Sequence, residues 1–258
     1  MNEAKTNPAP ADGLAGTTAI VTGASRGFGR GIAAALSAAG ARVFGVARTS
    51  AHLDEVRDEL GDAFTAVPAD AADPAIANRL IEEHRPRTLV LCAGAAPQMS
   101  PLPEQTWETF SANWNVDVAQ AFHWIRKALL LPLAPGSSVI AFSSGAAING
   151  SPLSGGYAGA NATVRFIASY AAIESQRAGL GIGFVSVLPQ LTAATELGAK
   201  AVHAYAEREG LDPETFLTRR GPALTPEQVG KSVLHLATAG HLDHHAYMVS
   251  SAGLSPLT

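Results

Sequence analysis

The chain is poor in the residues that build cross-links and charged surfaces. It has one cysteine, Cys92, in 258 residues. A lone cysteine excludes an internal disulfide framework and points to a reducing compartment, so a cytoplasmic location is expected. Charged residues make up only 16% of the chain and the net charge is −4, which leaves no basic footprint for nucleic acid. No run of about 18 apolar residues is present, so no membrane span is expected. The first residues, MNEAKTNPAPADG, lack the apolar core of a secretory signal. Residues 1–13 read as a polar, flexible tail. No Pro/Gly/Ser-rich linker divides the remainder, so residues 14–258 read as a single domain.

What is abundant is apolar. Hydrophobic residues make up 47%, enough for a well-buried core. Short β-branched runs alternate with longer Ala-rich segments, as in βαβ units around a parallel sheet. Strands are expected at Thr17–Thr22, Arg42–Ala47, Phe64–Pro68, Thr88–Cys92, Ser138–Ser143, Ile182–Leu188 and Ala246–Ser250. Helices are expected at Gly29–Ala39, Ala51–Leu60, Ala75–His84, 104–131 (long, continuous or interrupted), Tyr157–Ala178 and Pro226–Thr238. The strands are continuously apolar rather than alternating, which implies a sheet covered on both faces. The predicted class is therefore α/β: a Rossmann-type, doubly wound, mostly parallel seven-stranded sheet in three layers. Residues 190–222 are irregular to helical and read as a segment that covers a site.

Between the first strand and first helix runs Thr22-Gly23-Ala24-Ser25-Arg26-Gly27-Phe28-Gly29. Glycines at these spacings allow a tight turn, close approach to a pyrophosphate and helix–strand packing. The helix that follows presents N–H groups and a positive dipole end to the anion. The second strand ends in Ala47-Arg48, where an acid would accept from the 2′-hydroxyl of NAD. Arg48, with Arg26 as a second cation, suits a 2′-phosphate, so NADP(H) is favoured over NAD(H). Asp70, followed by Ala71 after the third strand, is placed either to meet the adenine ring or to cap a turn.

With these residues the chain resembles the short-chain dehydrogenase/reductase family in its form of about 250 residues, over essentially residues 14–255. TGASRGFG matches the family's TGxxxGxG. Ala93 and Gly94 match the end of its Asn-Asn-Ala-Gly, with Cys92 in place of an asparagine. Asn115, in NWNVDV, matches the asparagine of the catalytic tetrad. Ser144 lies thirteen residues before Tyr157, as the family's catalytic serine does. Tyr157 matches the tyrosine of YxxxK, whereas Asn161 stands in place of the lysine. Pro189-Gln190 replaces Pro-Gly after the sixth strand, and either Thr192 or Thr195 would touch the carboxamide or phosphates.

The resemblance implies hydride transfer between a nicotinamide and a small carbonyl or alcohol carbon, with Tyr157 moving the proton and Ser144 hydrogen-bonded to the substrate oxygen. A free tyrosine has a pKa of about 10, and a nearby ammonium lowers it. Asn161, one helical turn from Tyr157, is aimed at the same place but supplies no charge. Lys200, in the covering segment, is a candidate substitute. Two alternatives keep the fold without net redox: a cyclase, dehydratase or isomerase using Ser144 and Tyr157, or a catalytically inactive subunit. Apolar residues in 189–222 suggest a mostly apolar substrate. Helices 104–131 and 157–178 are where the resemblance puts the interface of a homodimer or homotetramer. The cluster His241-Leu242-Asp243-His244-His245 reads as a polar turn rather than a metal site.

Overall fold

The computed structural model describes residues 13–257. The predicted N-terminal tail therefore lies outside the described residues, apart from Gly13. The sheet forms from β1 (Thr18–Thr22), β2 (Arg42–Ala47), β3 (Phe64–Pro68), β4 (Thr88–Leu91), β5 (Ser138–Phe142), β6 (Gly183–Pro189), β7 (Ala246–Ser250) and β8 (Gly253–Pro256). Its order is β3-β2-β1-β4-β5-β6-β7-β8. Every neighbouring pair is parallel except β7–β8. The sequence reading expects seven strands, and the structure corrects this to eight. GLSP has no β-branched residue and reads as the end of a turn, but it pairs antiparallel with β7 from Ser250↔Gly253 to Tyr247↔Pro256.

The helices on one face are α1 (Gly27–Ala38), α2 (Ser50–Leu60) and α10 (Pro226–Thr238). Ile32 and Leu36 of α1, Leu53 and Val56 of α2, and Val229 and Val233 of α10 form one core with Ala19, Val21 and Val43 of the sheet. On the other face lie α3 (Pro74–His84), α4 (Trp107–Asn113), α5 (Ala119–Leu130), α6 (Ala146–Asn149) and α7 (Gly155–Arg177). Here Leu80, Ile81, Trp124, Ile125, Val164 and Ala168 close on Ile20, Phe44 and Leu89. Successive side chains of β1 thus feed opposite cores, as pleating requires. Fully burying each large apolar side chain contributes roughly 1.5–3 kcal/mol. Asp73 starts α3 as expected: its side chain accepts from Ala75 N–H, with Pro74 in the first turn.

The segment 104–131 is not one helix. A π-helical turn, Trp114–Val118, separates α4 from α5. The covering segment folds into α8 (Glu196–Glu209) and α9 (Pro213–Thr218). Val202 and Ala206 of α8 pack on Phe216 of α9 in a small cluster separate from both main cores. Among the described residues no helix is long and apolar enough to cross a membrane.

Candidate active site

The strand order reverses between β1 and β4, and a crevice at the carboxyl ends of parallel strands is expected there. A cavity of about 840 Å³ opens at this place. It runs from the glycine loop and the end of β2 to Ser144 and Tyr157. Thr22, fully buried at the end of β1, organises the floor. Its hydroxyl accepts from the N–H groups of Cys92 (3.0 Å) and Ala93 (3.2 Å) and donates to Gln120 Oε1. Gln120 Nε2 in turn donates to Ala93 O at 2.8 Å. Gly23 has φ 69°, and a side chain there would stand 2.8 Å from the backbone of Ala93. Only glycine fits this turn.

Ser25, Arg26, Gly27, Phe28 and Gly29 line the cavity, as do Ala71, Ala93, Gly94, Pro189 and Thr192. The entrance to α1 suits an anion: no side chain caps it and its first turn holds no acid. Arg48 lines the cavity in an exposed position at the end of β2. Arg26 is not the unengaged second cation the sequence suggests, because it is ion-paired with Glu196 of α8. Asp70 is at the cavity edge, and its Oδ1 accepts from Ala72 N–H at 2.9 Å, the turn-capping option. Both threonine hydroxyls are engaged locally. Thr192 donates to Leu224 O at 2.8 Å, and Thr195 accepts from Gly198 N–H at the start of α8.

At the other end, Ser144 and Tyr157 come together. The phenol is pushed up to about 12, first by burial and further by the Asp117 carboxylate, while a hydrogen bond with Ser144 pulls it down. Asn161 is buried beside them, but its Nδ2 donates to Tyr157 O at 3.0 Å, folded back onto its own helix. Its backbone carbonyl accepts from Ser143 Oγ at 2.8 Å. One N–H of Nδ2 is thus engaged within α7, while the side chain lines the cavity. Lys200 does not line the cavity. It is exposed and donates to Glu196 Oε1 at 2.8 Å, so it does not stand in for the missing lysine.

Asn115 is also corrected. It is exposed on the π-helical turn and does not line the cavity. The wider turn, with its i→i+5 bonding, shifts the register. It buries Asn113, Asp117 and Gln120 instead. Asp117 takes the cavity position. Its Oδ1 accepts from Ala95 N–H at 2.8 Å and its Oδ2 from Asn113 Nδ2 at 3.0 Å. Burial raises its pKa to about 6. Cys92, half-buried in the cavity wall, is pushed up to about 12 by desolvation and stays a thiol. Sequence reading missed Asp117 and Gln120, and their four- and seven-residue spacing from Asn113 was the available signal. No cluster of three or more metal-ligating side chains occurs among the described residues.

Residues 17–206 match the family model described as short chain dehydrogenase. The chain belongs to the short-chain dehydrogenase/reductase family. It is similar to L-xylulose reductase of Mesocricetus auratus, 36% identical over 130 residues that cover 49% of this chain and 53% of the relative. The match thus spans about half the length of that relative. A hydroxynaphthalene reductase of Aspergillus fumigatus is 29% identical with 87% of each chain covered. Among solved structures, a dehydrogenase/reductase from Sinorhizobium meliloti 1021 superposes with TM-score 0.76 at 28% identity, covering 90% of this chain and 92% of that one. A 3-ketoacyl-(acyl-carrier-protein) reductase from Brucella melitensis, complexed with NADH, shares the fold with TM-score 0.77 at 24% identity, covering 92% and 97%. The eight-stranded, mostly parallel sheet flanked by helices is the fold these dehydrogenase/reductase structures share.

Proposed function

We propose that the protein is an NADP(H)-dependent reductase of a small, mostly apolar carbonyl compound, with Tyr157 as proton donor and Ser144 holding the substrate oxygen. The observation that carries this reading is the continuity of one cavity from the glycine loop and Arg48 to the Ser144–Tyr157 pair. Arg48, with no acid at position 47, supports a 2′-phosphate. Pro97, Met99, Val116, Leu191 and Leu197 supply apolar wall around the substrate end.

When bound, the dinucleotide supplies the hydride. Ser144 orients the carbonyl oxygen, and Tyr157 donates its O–H proton to that oxygen as the carbon is reduced. With its pKa raised to about 12, Tyr157 is protonated at neutral pH and ready to donate. Arg48 would hold the phosphate end, and the N-terminus of α1 would take the pyrophosphate.

The reading is tested by titrating the purified protein with NADPH, then following NADPH consumption over a panel of ketones and aldehydes. Saturable binding with substrate-dependent consumption is expected. Absence of binding overturns the reading. A second reading, nucleotide binding without net redox, draws support from the engagement of Asn161 with the Tyr157 carbonyl and from the lack of a cation acting on the phenol. Binding with no consumption across the panel would favour it.

We also infer a homo-oligomer through α4, α5 and α7. Trp107, Phe122, Phe166, Tyr170 and Ile173 are exposed on these helices, and Phe166 stacks on Tyr170 with ring centroids 6.2 Å apart. An apolar surface of this kind is a mark of an interaction site.

A further inference from the structure

The start of α8 crosses the phosphate loop. Thr195 stands over Gly27, where a side chain would meet its Cγ2 at 3.3 Å. One residue on, Glu196 reaches across to Arg26, its Oε2 accepting from Nη1. Its Oε1 accepts from Lys200 Nζ at 2.8 Å. The hydrogen bond from Lys200 and then the charge of Arg26 hold the Glu196 carboxyl below its ordinary range. Arg26, Glu196, Arg48 and His52 all line the cavity. Arg48 is the basic group there that no acid engages among the described residues, whereas Arg26 is committed.

We propose that Glu196 sets coenzyme selectivity. Its carboxylate occupies the guanidinium that Arg26 would otherwise present to an adenosine 2′-phosphate. A phosphorylated dinucleotide must displace this ion pair, and an unphosphorylated one leaves it intact. The inference rests on the reading of the cavity as a nicotinamide dinucleotide site.

The side chains of Arg26 and Glu196 are 65% and 54% exposed. Solvent screening therefore keeps the pair weak, and an incoming phosphate can replace the carboxylate. Breaking the pair to free the guanidinium for the phosphate corresponds, for exposed charges, to about a three- to tenfold change in affinity. Arg48, unopposed, continues to attract the phosphate. The selectivity is thus a balance of one free cation and one masked one.

The test is a titration of the full-length chain with NADPH and with NADH, by calorimetry at low salt. The proteins are the wild type, Glu196→Gln, Arg26→Ala and the double variant. Glu196→Gln keeps the size and a hydrogen-bond acceptor while removing the charge, and both residues are on the surface, so the fold is retained. The substitution is expected to tighten NADPH about three- to tenfold and to leave NADH within about twofold. The gain should vanish in the Arg26→Ala background, as coupling through one guanidinium requires. An unchanged NADPH affinity, an equal change for both coenzymes, or a gain that survives Arg26→Ala overturns the proposal. If the wild type binds neither coenzyme, the dinucleotide reading itself fails, and that titration alone tells the two failures apart.

Discussion

In the proposed reaction, Tyr157 and Asp117 set the chemistry at the scale of single residues. Asp117 is buried and Tyr157 half-buried, and the charge of Asp117 opposes ionisation of the phenol. Asp117 has a folded-state pKa raised to about 6. Its contribution to stability is therefore fully present below the unfolded value of about 3.9 and is lost as pH rises through about 6. Comparing melting of the wild type with Asp117→Asn from pH 4 to 7.5, the difference is expected to move in the variant's favour by on the order of 2–3 kcal/mol. The same titration should show in turnover. Reduction is expected to speed up as pH falls through about 6, where Asp117 loses its charge, and this dependence should be flat in Asp117→Asn. Asn161→Lys places an ammonium one turn from the phenol. It is expected to raise the reduction rate about tenfold or more, measured as kcat with NADPH saturating. An unchanged kcat would show that position 161 does not limit the reaction.

Among elements, the contact of α4 with α7 decides where Tyr157 stands. A side chain at Gly156 would lie 1.8 Å from Phe110 O, so the two helices meet backbone to backbone just before the tyrosine. Gly156→Ala is expected to cost about 2–3 kcal/mol in a denaturant melt and to lower turnover more than NADPH affinity, because the glycine loop lies elsewhere. A variant as stable as the wild type would show that the helices part without penalty. The helices themselves were legible: Asp73-Pro74 announces α3, and the Ala-rich periodicity announces α7 almost to its ends. The π-helical turn was not. Nothing in SANWNVDV marks an i→i+5 register, and reading it as an ordinary helix places Asn115 where Asp117 belongs.

For the whole molecule, two cores on opposite faces of one sheet leave the outer surfaces of α5 and α7 uncovered. Phe166, Tyr170 and Ile173 form a stripe at helical spacing there. Sedimentation at micromolar concentration is expected to show a dimer or tetramer, and Tyr170→Glu should shift it toward monomer by placing a charge in the apolar face. A wild type that sediments as a monomer would remove the oligomer from the account.

The sequence by itself determined the layered α/β fold, the glycine loop, Arg48 and the Ser144–Tyr157 pair. The first three follow from periodicity, glycine placement and position along the chain, which are local properties, and the pair from the resemblance to the family. Only the tertiary structure decided that Arg26 is held by Glu196, that Asn161 turns back on its own helix, that Lys200 stays on the surface, and that Asp117 enters the cavity. Each of these depends on which side chain meets which across 4 to 170 residues of chain, and such meetings are set by packing in three dimensions.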